Sequence, residues 1–205
     1  MPVLFKTEML KQDVFIWEIT EPESTLISAL DEHVICPHKH PERRLHWLAT
    51  QCLLQQTFRN PAIVLYNQHG KPIINEHQHL SISHSGTYVA LARASQACGV
   101  DVQKADEKIP RIANKFIHEK ELDWIAKTTT PGKFMQLIWS IKEAVFKIYG
   151  TNIAFKENIY VPAFTMQQSG SVFSEVNRNN IRTSIQVAYR WIGNSTLVYA
   201  QENLS

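Results

Sequence analysis

Hydrophobic and polar positions along the 205-residue chain follow two different periods, and these divide it into strand-like and helix-like stretches. "VFIWEI" (14–19) is apolar and β-branched and reads as a strand. "PERRLHWLATQCLLQQTF" (41–58) carries a helical repeat, with Pro41 in the first turn, where a missing N–H costs little. "AIVLYNQHGKPII" reads as a hairpin around Gly70, and "LSISHSGTYVALARA" as two strands meeting near Ser85-Gly86. "CGVDVQ" predicts a further strand. The period then turns helical through "IPRIANKFIHEKELDWIAK" and "GKFMQLIWSIKEAVFKIYG", and returns to β in "SIQVAYRWIGNSTLVYAQ", which turns at Gly193-Asn194. The expected organisation is α+β, in two parts spanning 1–104 and 105–205.

One helical stretch, "WSIKEAVFKIYG" (139–150), carries an unusual charge pattern. At about 100° per residue, Ile141, Ala144, Val145 and Ile148 form a stripe that reads as buried. Lys142, Glu143 and Lys147 fall on the other side, flanked by Trp139 and Phe146. An exposed Glu143–Lys147 pair four residues apart would explain the charges but not the aromatics. A carboxylate for a metal ion and ammonium groups for phosphates is the other reading, since Mg²⁺-assisted phosphoryl chemistry uses both.

Composition narrows the class without choosing between these readings. Hydrophobic residues make up 44% and charged ones 20%, enough to bury a core, and the net charge of +2 is too small to argue for nucleic acid. No apolar run approaches the roughly 18 residues of a membrane span, and "MPVLFKTEMLKQD" lacks the layout of a signal peptide. The three cysteines, Cys36, Cys52 and Cys98, have no framework spacing, which fits a reduced interior. The expectation is a soluble cytoplasmic protein.

Two more stretches carry candidate chemistry. In "GVDVQ", strand alternation turns Val100 and Val102 to a core and puts Asp101 and Gln103 on the opposite face, where two oxygen donors suit Mg²⁺. The same pattern fits an ordinary half-buried strand. In "SISHSG", His84 shares the parity of Leu80 and Ile82 and is expected to lean towards a covered surface. Ser83, Ser85 and Gly86 beside it offer small donors and close backbone approach, as an anion site needs, or simply a serine-rich hairpin.

Taken together, Gly99-Val100-Asp101 followed by Trp139-Ser140-Ile141-Lys142-Glu143-Ala144 and Lys147 resembles the signature of the 4'-phosphopantetheinyl transferase superfamily. "GKP" (70–72) ahead of "ISHSG", and the arginine-led helix "ERRLHWLA", are similar to its surfactin-type branch. In that branch one chain forms two similar α+β halves with a pseudo-two-fold relation, and the active site lies in the cleft between them. The resemblance runs from about residue 41 to 150.

The resemblance implies a Mg²⁺-dependent enzyme of the holo-[acyl-carrier-protein] synthase type. It would move the 4'-phosphopantetheine arm of coenzyme A to a serine of an apo acyl or peptidyl carrier protein, releasing 3',5'-ADP. By the same resemblance Asp101, Glu143 and, more weakly, Gln103 would hold the metal. Arg43 or Arg44, Lys71, Ser83 and His84 would contact the phosphates and nucleotide end of coenzyme A, and Lys142 and Lys147 its pyrophosphate. Glu121, in "FIHEKE", stands where the family places its general base; Glu143 and Lys147 complete the catalytic set. Gln103 departs from the second acid found in many members, so a water could complete the metal's coordination. A monomer suffices for a two-half chain, with no nucleic-acid or membrane partner. A catalytically silent coenzyme A-binding regulator is one alternative. A zinc-binding adaptor using His33, Cys36, His38, His40, His46, His77 and His79 is another.

Overall fold

The computed structural model describes residues 5–9, 12–31, 34–58, 64–68, 70–75 and 78–202. Its first portion contains β1 (Phe5–Met9), β2 (Gln12–Glu18), α1 (Glu23–Ser28), α2 (Pro41–Thr57), β3 (Leu65–Tyr66), β4 (Pro72–Asn75), β5 (Gln78–Ser85) and β6 (Tyr88–Ala94). Then come β7 (Cys98–Gln103), α3 (Lys108–Arg111), α4 (Glu119–Ile125), α5 (Pro131–Tyr149), α6 (Phe155–Asn158), β8 (Ile159–Tyr160), β9 (Ser169–Arg178), β10 (Ile181–Ile192) and β11 (Ser195–Glu202). The strands form two antiparallel sheets, ordered β1-β2-β6-β5-β4-β3 and β7-β11-β10-β9-β8.

Two-residue alternation builds the layers. On β2, Phe15 and Trp17 join Leu48, Ala49, Cys52 and Leu53 of α2, whereas Val14 and Ile16 face the second sheet. On β6, Val89 and Leu91 turn to α2, and Ala90 and Ala92 turn to the second sheet. From that sheet Val100, Val102, Leu197 and Tyr199 meet them, while Val198 and Ala200 pack beneath α5. The order is therefore α2, sheet, sheet, α5, with small alanines letting the two sheets approach. This is an α+β fold of two halves, each with a sheet and a long covering helix.

β7 pairs with β11, so the chain crosses from one sheet to the other between Ala94 and Cys98. The serines of β5 bind the sheets together. Ser81 Oγ accepts from Val100 N at 2.9 Å, Ser83 Oγ donates to Asp101 Oδ1 at 2.9 Å, and Ser85 Oγ accepts from Lys104 N at 3.0 Å. Of the serines expected to offer donors to an anion, Ser83 thus spends its proton on Asp101, while Ser85 accepts from Lys104 just past β7.

The expected helix through 109–127 is broken. Ile117 and His118 lead into a fresh N-terminus at α4, where His118 Nδ1 accepts from Lys120 N and Glu121 Oε2 accepts from His118 N. β1, α1 and β9 have no counterpart among the expected elements. β9 meets β10 through Asn179-Asn180, both at positive φ (51° and 62°), a turn that asparagine tolerates. α5 ends at Gly150 with φ 77°, whose N–H reaches Phe146 O at 2.8 Å.

Candidate active site

The site forms where β7 runs under α5. On the α5-facing side of β7 stand Gly99, Asp101 and Gln103, opposite the valines. Gly99 is required: a Cβ there would lie 1.8 Å from the Ala144 carbonyl oxygen and 3.3 Å from Lys147 Cβ. The helix is tied to the strands by Ser140 Oγ at 2.7 Å from Thr196 Oγ1, and by Gln136 Nε2 donating to Gln103 O and Asn194 O at 3.2 and 3.0 Å. Sequence reasoning missed these two anchors; an apolar face interrupted by small polar groups was their only signal.

This approach brings Asp101, Glu143 and Lys147 together. Lys147 Nζ donates to Val100 O at 2.8 Å and to Asp101 Oδ1 at 3.0 Å, the oxygen that also receives Ser83. Asp101 is 5% exposed, and its Oδ2 is buried with no hydrogen-bond partner. Such an oxygen is costly unless something binds it. Burial, then the nearby Asp101 charge, raises the Glu143 pKa to about 6, with Lys147 pulling it down. Two acids held this close while one oxygen stands free fit a hard cation, which takes one or two carboxylates and completes its shell with water and phosphate oxygens. Gln103 lies on the same face, its amide nitrogen donating to Lys104 O at 2.9 Å.

A cleft of about 620 Å³ opens beside this cluster, walled by α2, β5 and the Gly70–Pro72 segment. Arg43, His46 and His84 line it. His84 keeps the parity of Leu80 and Ile82 and faces α2, but sits at the rim, exposed, with its ring stacked on His46 at 4.6 Å. His46 Nε2 donates to Gly86 O at 2.7 Å. Gly70, Pro72 and Ile82 also border a smaller hollow of about 140 Å³ between Lys71, Phe146 and Lys147, so the two share a wall. Lys71 Nζ donates to Ile148 O at 2.7 Å, linking the first half to the end of α5. The two arginines lie differently: Arg44 is bound to Glu23 and His38 O, while Arg43 lines the cleft.

Two expected members are elsewhere. Lys142 and Glu121 have no exposed surface and bind each other at 2.8 Å, on the side of α5 covered by α4 and α6. The aromatics that flank these charges are covered mainly from within the second half. Trp139 packs on Phe116 and Phe155, and Phe146 on Phe155, all in the second half; Phe146 also borders the small hollow. Lys142 falls in this aromatic sector of the helix, which is why it is sealed. No group of three or more His, Cys, Asp or Glu among the described residues is arranged to hold a metal, and His33 and His77 lie outside the described residues. No described helix is long and apolar enough to cross a membrane.

Comparison with known proteins agrees with this geometry. Residues 97–193 match the model of the 4'-phosphopantetheinyl transferase superfamily. The chain is 32% identical over 99 residues to the 4'-phosphopantetheinyl transferase gsp of Aneurinibacillus migulanus, covering 47% of this chain and 39% of that protein. It is 30% identical over 113 residues to the 4'-phosphopantetheinyl transferase Sfp of Bacillus subtilis, covering 53% of this chain and 50% of that protein. The aligned part therefore spans half or less of either relative's own length. With Gly99, Asp101, Glu143 and Lys147 drawn together by β7 and α5, the chain resembles the 4'-phosphopantetheinyl transferase superfamily over residues 97–193, and its surfactin-type members in particular.

Proposed function

We propose that the protein transfers the 4'-phosphopantetheine arm of coenzyme A to a serine hydroxyl of an apo acyl or peptidyl carrier protein, releasing 3',5'-ADP. The observation that carries this reading is the Asp101 carboxylate, with one oxygen fixed by Ser83 and Lys147 and the other buried without a partner near Glu143. Asp101 and Glu143 would hold Mg²⁺, which when bound would neutralise charge on the pyrophosphate. Gln103 would act through a water.

The chain's own groups supply position and charge. Lys147, fixed by Val100 O and Asp101, would present its ammonium to a phosphate oxygen. Arg43 and His84 line the cleft, and Lys71 the adjoining smaller hollow, that would receive the rest of coenzyme A. The serine oxygen attacks the phosphorus that bears pantetheine, one P–O bond forms as the bond to 3',5'-ADP breaks, and the hydroxyl proton leaves to solvent. No covalent enzyme intermediate is needed. Both halves contribute to the smaller hollow, Lys71 from the first and Lys147 from the second, which supports a monomer, acting in the cytoplasm.

Intact mass of apo carrier proteins after incubation with the protein, coenzyme A and Mg²⁺ tests the reading. The expected result is a gain of one phosphopantetheine arm, absent with EDTA. No gain on any carrier, with coenzyme A still bound, would indicate a silent binding protein instead.

A further inference from the structure

The buried pair left outside this mechanism is unusually complete. Lys142 Nζ donates to Phe116 O at 2.7 Å, Glu121 Oε2 at 2.8 Å and Phe155 O at 3.0 Å, which uses all three of its protons. Glu121 accepts from Lys142, from His118 N at 2.7 Å through Oε2, and from Val161 N at 2.7 Å through Oε1. Two ions sealed from water thus hold five points together: α5, the N-terminus of α4, and the backbones at Phe116, Phe155 and Val161. A buried pair of this kind adds little net stability over apolar residues of the same size, but it allows only one arrangement of the elements it joins. Lys142 immediately precedes Glu143, so the arrangement it fixes includes the rotation of α5 about its axis.

Resting on the function proposed above, we infer that Glu121 and Lys142 are positioning residues: the pair fixes the rotation of α5 and so aims Glu143 and Lys147 at Asp101, while Glu121 takes no proton from the incoming serine. A general base must come within hydrogen-bond reach of the proton it abstracts. Glu121 has no exposed atom surface, and both its oxygens are engaged by donors of its own half.

The test pairs Glu121→Gln/Lys142→Met with its two single variants and with Glu121→Asp, which keeps both charges but shortens the link by one methylene. Mn²⁺ titration in the presence of coenzyme A, followed by electron paramagnetic resonance, is read beside thermal melting and transfer kinetics. Each single neutral variant is expected to melt well below the double variant, since each leaves a buried charge alone. The double variant and Glu121→Asp are expected to bind Mn²⁺ about tenfold and several-fold more weakly, with KM for coenzyme A within about twofold of wild type. Wild-type Mn²⁺ affinity in Glu121→Asp overturns the positioning role, even should the double variant not fold. Unchanged Mn²⁺ affinity with turnover down by about 10²-fold or more in Glu121→Gln restores it as the base. Failure of the unaltered protein to bind Mn²⁺ or transfer the arm overturns the function itself, and is seen before any variant is made.

Discussion

The Ala144 carbonyl oxygen occupies the space where a side chain on Gly99 would begin, only 1.8 Å from an ideal Cβ. The glycine of "GVD" is therefore set by the helix forty-five residues later, and through it the distance from Asp101 to Glu143. Gly99→Ala is expected to push α5 off β7, costing about 3 kcal/mol or more, because the obstacle is backbone and has no rotamer to give. Loss of both thermal stability and transfer is the expected result. A variant with wild-type melting and turnover would show that α5 can shift without consequence for the site.

Adjacent arginines on α2 should separate cleanly. Arg43 borders the cleft, so Arg43→Ala is expected to raise KM for coenzyme A by about tenfold with little change in melting. Arg44 is committed to Glu23, an ion pair about one-third exposed, so Arg44→Ala should cost little stability and leave KM unchanged. The opposite pattern would reverse the assignment.

For the metal acids, Asp101→Ala and Glu143→Ala are expected to abolish turnover while melting and circular dichroism stay near wild type. Residue 103 shares the strand face of Asp101, so Gln103→Glu should keep activity and lower the Mg²⁺ concentration for half-maximal rate by several-fold. An unaltered Mg²⁺ dependence would put residue 103 beyond direct contact with the ion.

The parts legible in the sequence were those governed by local period. The valines of β7 and the stripe Ile141, Ala144, Val145 and Ile148 are buried as their spacing requires. The parity of His84 with Leu80 and Ile82 also holds, although at the strand's end it leaves the residue at a rim. What depends on partners far along the chain was not legible. Nothing near Lys142 announces that Phe116, Glu121 and Phe155 will enclose it, and a helical period alone places it beside Glu143 and Lys147. Likewise, Ser83 looks like a free donor until Asp101 of β7 is seen beside β5. β9, the most exposed long strand, lacked the apolar run that marks a buried one, and only Asn179-Asn180 hinted at its turn.

His84 gives the site a pH dependence with a definite sign. The walls of the cleft, which strip solvent from one side of the exposed ring, come first; then the charges of His46 and Lys147 hold its pKa below the usual imidazole value, against weaker opposing pulls from its own backbone and Glu42. The unfolded chain, at about 6.5, takes up this proton before the folded one does. Folded stability without ligand is therefore expected to fall as pH drops below about 6.5, down to the folded-state pKa, and His84→Gln should remove that part of the slope. If His84 meets a phosphate of coenzyme A, the ligand's negative charge favours the protonated ring, and binding should strengthen over the same range relative to the variant. Thermal melting and coenzyme A titration of both proteins between pH 8 and pH 5.5 check this. Parallel curves for wild type and variant would remove His84 from the phosphate site.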